Sequence, residues 1–264
     1  MKRLALVLVV LVGLLVAVDY GAAALAESAV ARQMRDQLGL ADDPGVRING
    51  FPFLVQAMSG EYDSVDVDAF RIHVGEMRDV HVHAELRGVQ APLGQLLGSG
   101  PRTVAVREAE GTVRILPNDL ERLMPAIDKM RIDTIDDEAL EKAIEDGGDP
   151  SLREIDPNRA ARLAGTATVL GQKLPISVIA VLELADGQIR IVPHDVRVGD
   201  DDAPPLPAPL QRQLRETFTL RIDPGSLPLE VTPTSLRARD GALEISGITR
   251  NLVLGAGGQT VTGS

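Results

Sequence analysis

The chain has 264 residues, 44% of them hydrophobic and 25% charged, with a formal charge of −11, no Cys, no Trp, four Phe and two Tyr. That length suits one large domain or two small ones, and Gly and Pro are too scarce for a collagen-like or generally disordered chain. The negative charge and few aromatics exclude a nucleic-acid partner, and the absence of Cys removes disulfides, thiolate nucleophiles, iron–sulfur clusters, Cys-ligated zinc and the thioether anchor of lipoproteins.

Lys2 and Arg3 precede an unbroken apolar run, Leu4–Val18, closed by Asp19. This is the layout of an export signal. A helix over that run spans about 23 Å, short of a hydrocarbon core of about 30 Å. The Ala-rich continuation Tyr20–Ala26 either lengthens it into a signal anchor or offers cleavage sites at Ala22-Ala23-Ala24 and Ala24-Leu25-Ala26. The balance leans to the anchor, because helical spacing continues through Ala26, Val30, Met34 and Leu38. The positive-inside rule then puts the rest of the chain on the extracytoplasmic face of the cytoplasmic membrane, anchored through Leu4–Val18 or exported if residues 1–26 are removed.

After Gly39 the pattern turns to strands. Residues 46–48 begin an extended stretch and 65–69 alternate cleanly. The phase then flips to Phe70, Ile72 and Val74, which predicts a bulge near Ala69. Val80, Val82, Ala84 and Leu86 alternate against His81, His83, Glu85 and Arg87. Further strands are expected at 103–108, 112–116, 166–170, 175–184, 188–192, 217–222, 229–232, 235–239, 242–248 and 251–254. Such alternation marks antiparallel sheet with one buried face, while Ile176–Leu184, apolar on both faces, belongs in a central strand. Helices are expected over 120–127 and 139–144, with a short third over 206–214. Residues 199–205 and the tail 255–264 read as solvated. No regular βαβ alternation occurs, so the fold class is α+β, an antiparallel sheet packed on a few helices. Residues 111–119 echo 187–195 as turn, strand, Pro stop and Asp cap, through chance recurrence or through two related sheet halves that break near 147–160.

Signals for catalysis or metal binding are weak. His81, His83 and Glu85 share a strand face, and His73 could add a ligand, but alternation alone puts polar residues there. Asp200–Asp202 lack the spacing of a calcium loop, and the acidic residues from Asp133 to Glu141 suit a helix start. No Ser elbow, zinc-protease helix motif, Ser-x-x-Lys, dinucleotide fingerprint or Walker loop is present. Carboxylate pairs are plentiful, yet a chain without Trp lacks the usual grip for sugars. No metal, no cofactor and no enzymatic activity are expected.

The most unusual stretch is Ile48-Asn49-Gly50-Phe51-Pro52-Phe53-Leu54-Val55-Gln56, followed by Gly60, Tyr62 and Val65. Phe51, Phe53, Tyr62 and Phe70 fall within twenty residues, forming either a core plug at one end of the sheet or a hydrophobic mouth for an apolar ligand. Gly50-Phe51-Pro52-Phe53-Leu54-x-Gln56, with the Gly60/Tyr62/Val65 follow-on and the preceding apolar helix, resembles the actinobacterial LmeA family of phospholipid-binding proteins. Phe218-x-Leu220-x-Ile222, Leu227-Pro228-Leu229 and Gly241–Gly247 are similar to that family's closing strands, so the resemblance covers about residues 20–254. It implies a lipid-binding domain over 27–254, with acyl chains held in an apolar cavity under a curved sheet comparable to tubular lipid-binding folds. A role in membrane-lipid or lipoglycan maintenance follows by analogy.

The expected lipid-binding residues are Phe51, Pro52, Phe53, Leu54, Tyr62 and Phe70, with Arg47 and Arg71 as nearby cations for a headgroup and Arg78 and Arg87 behind them. The expected partners are phospholipid and the cytoplasmic membrane. The rival reading is a structural or adaptor domain of the envelope whose apolar face takes no lipid.

Overall fold

The structure, a computed structural model, describes residues 2–74, 76–92, 104–124, 127–169, 172–185, 188–199, 206, 209, 219–222 and 233–254. Two compact units emerge: residues 1–71, 82–111 and 248–264 in the first, residues 72–81 and 112–247 in the second. Eleven strands are described. Six form a sheet in the order β1-β2-β3-β4-β11-β10 and five form another in the order β5-β6-β7-β8-β9, so neither closes on itself in this order.

The first unit begins with α1 (Lys2–Leu38), a single helix through the whole apolar run and beyond. Leu, Val and Ala dominate it and no Pro interrupts it; Gly39, at φ +63°, ends it. Its apolar half is almost wholly exposed, as expected of a segment long and apolar enough to cross a membrane. Next come β1 (Gly45–Asn49), α2 (Phe53–Ser59) and β2 (Glu61–Val74). β1 pairs antiparallel with β2, from Gly45 opposite Asp68 to Asn49 opposite Ser64. As an edge strand β1 would leave amides bare, but α1 packs along it, and the Glu27 carboxylate accepts the Ile48 N–H at 2.8 Å. Parts of β3 (Met77–Gln90), β4 (Val104–Ile115) and β11 (Ala242–Leu254) complete the unit. Its interior holds Phe53, Tyr62, Val67, Ala84, Val89, Val106 and Leu252.

The second unit is built on β5 (Ile127–Thr134), β6 (Ala160–Val169), β7 (Gln172–Ala185), β8 (Gln188–Val198) and β9 (Leu220–Ile222), all antiparallel. β7 is the central strand, as its two apolar faces require. Two helices accompany the sheet, α3 (Pro117–Leu123) and α4 (Asp137–Glu145). The Asp136 carboxylate accepts the Ala139 N–H at 2.8 Å, and Asp137 and Glu138 occupy the first turn, so these three serve the helix start as expected, whereas Asp133 lies in β5. Leu140, Ala143, Leu152 and Ile135 pack on Ala160 and Ile179 beneath α4. β10 (Pro233–Arg239) lies against β5, β6 and β7. Asp119, fully buried on α3, accepts the backbone N–H of Arg78 and of Asp79 at 2.8 and 3.0 Å and pairs with Arg122.

Several expected boundaries move. The helix expected over 120–127 stops at Leu123, because Ile127 already pairs with Ala167 in β5, a strand the periodicity did not reveal. Residues 104–115 form one strand, with Gly111 inside it rather than at a turn. The strands expected at 242–248 and 251–254 are likewise one. The break in β2 falls at Arg71, at φ +55°, rather than at Ala69, and Phe70 and Arg71 are exposed in succession. The echo between 111–119 and 187–195 dissolves: Pro117 opens α3, whereas Pro193 lies within β8 beside a register irregularity. The strand at 229–232, nearly all of the third helix, the Asp200–Asp202 loop and the tail lie outside the described residues.

Candidate functional site

The Gly-Phe-Pro-Phe-Leu segment becomes a turn followed by the short helix α2. Gln56 explains much of its spelling. Its amide donates to the Asn49 carbonyl at 3.3 Å and accepts the Asp63 N–H at 2.9 Å, tying the segment's start to β2. Asn49 in turn donates to Ser64 and Asp66 at 3.0 and 2.9 Å. Gly60 ends α2 in the left-handed region, at φ +73°, and a Cβ there would lie 2.9 Å from the Pro92 Cα. Only glycine fits both demands.

The N-terminus of α2 has no cap of its own, because Pro52 carries no acceptor side chain. The cap arrives from α1. Asp19, buried where the apolar run ends, accepts the Phe53 N–H at 2.9 Å and the Leu54 N–H at 2.8 Å. One residue on, the Tyr20 ring stacks against Phe51 with centroids 6.1 Å apart. α2 is thereby pinned to the last polar boundary of the hydrophobic helix.

This geometry splits the expected aromatic group. Phe53 and Tyr62 are each 5% exposed, with rings 6.4 Å apart, and form the plug. Phe51 and Phe70 are 59% and 55% exposed. Around Phe51, α2 turns Leu54, Val55 and Met58 outward, at i, i+1 and i+4, while Phe53, Gln56 and Ala57 face inward. Plug and apolar outer face are two sides of one short helix. Tyr20, Val55, Met58 and the capping role of Asp19 escaped the sequence reading. A helix start preceded by Pro and lacking a capping side chain was the signal that an acceptor had to come from elsewhere.

Burial pushes the Tyr62 phenol above its ordinary value near 10. The neutral phenol is the form the fold prefers, so its contribution is complete below pH of about 10 and is lost as pH rises through the folded-state value. Alkaline unfolding followed by circular dichroism should therefore show stability declining above that point. In Tyr62→Phe this decline should be shallower; an unchanged profile would contradict it.

The arginines are held in different ways. Arg47 is exposed on β1, opposite Asp66. Arg71 pairs with Asp42. Arg78 is exposed and contributes its backbone N–H to Asp119. Arg87 binds Glu85 and Glu108 at 2.8 and 3.1 Å, and the hydrogen bond from Arg87 holds the Glu85 carboxyl below its usual range. His83 pairs with Asp68 at 2.7 Å. Among the described residues no group of three or more His, Asp or Glu is placed to hold a metal ion.

In the second unit β7 separates two recesses by its two-residue period. Ser177 and Ile179 face a polar cavity of about 280 Å³ whose rim interleaves Asp136, Glu138 and Asp146 with Lys142, Arg162 and Arg197. There the buried Arg197 binds Asp195 and the Ala143 carbonyl, both at 2.9 Å. Ile176, Val178 and Ala180 face an apolar cleft of about 30 Å³ with Met124, Ile127, Met130, Leu163 and Pro193. That cleft offers apolar walls, but it is far smaller than the polar cavity of about 280 Å³.

The model of the LmeA-like phospholipid-binding family matches residues 17–248, most of the chain. The chain belongs to this family. The match starts two residues before Asp19, so it takes in the α1–α2 junction together with both sheets. No curated protein and no solved structure matches the chain significantly.

Proposed function

We propose that the chain is a non-enzymatic phospholipid-binding protein of the cell envelope, held at the extracytoplasmic face of the cytoplasmic membrane by α1. The family match over residues 17–248 is the observation that carries this reading. Retention of α1 is supported by the Asp19 and Tyr20 contacts, since cleavage at either Ala triplet would part both residues from α2. Phe51, Pro52 and Leu54 supply an apolar contact for acyl chains, braced by Phe53 and Tyr62, with Phe70 as a separate exposed ring. Arg47 is the better placed cation for a phosphate. Arg71 would have to exchange Asp42 for it.

In the second unit, Leu163, Ile176 and Val178 furnish walls of the aliphatic kind that acyl chains need, worth about 0.8 kcal/mol per buried CH₂. At about 30 Å³ the cleft must widen to admit a chain. A role in membrane-lipid or lipoglycan maintenance is the process in which such a protein would serve.

Delipidated full-length protein should take up a fluorescent phospholipid at about one per chain, and phospholipid should be recovered in the same ratio on organic extraction. Filling the cleft with Val178→Trp should weaken uptake by about tenfold, as an overpacked apolar site would. Neither uptake nor recovered lipid would leave the structural or adaptor reading in its place.

A further inference from the structure

We infer that the outer face of α2, built from Phe51, Leu54, Val55 and Met58 together with Tyr20, is a docking surface for the bilayer that α1 enters. This inference rests on the membrane-anchor reading given above and adds a contact with the bilayer surface beside the one α1 makes.

Three observations converge on this occupant. The first is position. Leu4–Val18 is the apolar stretch, and the very next residue, Asp19, holds the first two amides of α2 through hydrogen bonds of 2.9 and 2.8 Å. The Asp19 carboxylate keeps to the polar side, so the helix leaves the hydrocarbon at Val18, its short length met by local thinning of the bilayer and by snorkelling of Lys2 and Arg3, and α2 is set at the level of the headgroups. The second is exposure. Phe51, Val55 and Met58 are 59%, 61% and 89% exposed, while the opposite side of α2 is fully engaged with the first unit's interior. The third is chemistry. Tyr20 is an amphipathic ring placed where a spanning helix meets water, the position such rings prefer, and it stacks on Phe51. The bilayer interface is thus continuous with the surface that α1 already offers to lipid. Glu61 and Asp63 follow α2 closely in the chain, so attraction to anionic lipid is not the driving force. Apolar burial at the boundary of headgroups and acyl chains is.

The chain has no Trp, so single Trp substitutions in the full-length protein report without background. Leu11→Trp marks α1, Val55→Trp and Met58→Trp mark the proposed face, and Glu145→Trp marks an exposed helix end in the second unit. After reconstitution into phosphatidylcholine vesicles, Leu11→Trp should be quenched by lipid brominated deep in the acyl chains. Val55→Trp and Met58→Trp should emit to the blue of Glu145→Trp, be quenched by lipid brominated near the glycerol backbone, and be quenched by aqueous iodide about threefold less than Glu145→Trp. Quenching at Leu11 together with water-like, iodide-accessible emission at 55 and 58 would overturn the docking surface and leave the anchor standing. Loss of quenching at Leu11 would remove the anchor reading and this inference with it. Blue emission at 55 and 58 without lipid quenching would mean that protein covers the face, which also overturns the proposal.

Discussion

Asp119→Ala is expected to be the most damaging single substitution away from α1. The carboxylate is fully buried and takes hydrogen bonds from two successive backbone amides at the start of β3 while pairing with Arg122. Alanine would strand the N–H groups of Arg78 and Asp79 and take away the nearer carboxylate of Arg122, whose pair with Asp79 at 3.5 Å remains. Hydrogen bonds to a charged partner contribute about 1.5–3 kcal/mol each, and two are lost, so a loss of about 3–6 kcal/mol is expected. For a chain of this size that is a fall in the midpoint of thermal unfolding of about 10 °C. Asp119→Asn keeps one acceptor and should fall between Ala and the parent. Arg122→Ala should cost least, because that side chain is 39% exposed and its removal leaves the two amides satisfied by Asp119. Thermal unfolding followed by circular dichroism checks the ranking. An Asp119→Ala protein within 1 kcal/mol of the parent would show that water replaces the carboxylate.

The strands were legible wherever one face is buried and the other wet, because alternation then writes the pleat directly into the residue order. Val80 and Ala84 against His83 and Arg87 in β3 are the clear case. The failures have local causes. β5 hid because Asp128 and Lys129 follow Ile127 outward together, and Lys129 has φ +53°, so the period breaks inside the strand. α2 hid because its seven residues are too few for a helical period, and because its cap comes from a residue 34 positions earlier. Periodicity carries no information of that range. The same holds for the candidate site. The aromatic cluster was visible as composition, but whether a given ring points in or out depends on the turn ahead of α2 and on the pleat of β2. Phe51 and Phe53, two residues apart, end on opposite sides. Arg71 read as a free cation because its partner, Asp42, lies in the loop before β1.

Asp19→Ala is expected to release α2 without unfolding the rest of the chain. The substitution removes the shared acceptor of the Phe53 and Leu54 amides, of which the first is buried. Hydrogen bonds to a charged partner contribute about 1.5–3 kcal/mol each, and Pro52 offers no replacement cap, so local opening of α2 should become easier by about 2–4 kcal/mol. In hydrogen exchange on the full-length protein in vesicles, the amides of α2 should exchange about 100-fold faster, one factor of ten for each 1.4 kcal/mol. The core amides of the second unit should be unchanged. Glu27→Ala is the matched comparison, because it removes one acceptor from the Ile48 amide at the sheet edge and should cost only about 1 kcal/mol. The two variants separate the joints by which α1 is fastened to the folded body. If Asp19 sets the height of α2 against the bilayer, combining Asp19→Ala with Met58→Trp should return the reporter towards water-like emission, whereas Glu27→Ala should leave it shielded. Equal exchange in the Asp19 variant and the parent would mean that packing of Phe53 against Tyr62 alone holds α2 in place, and that the buried carboxylate contributes nothing to the junction.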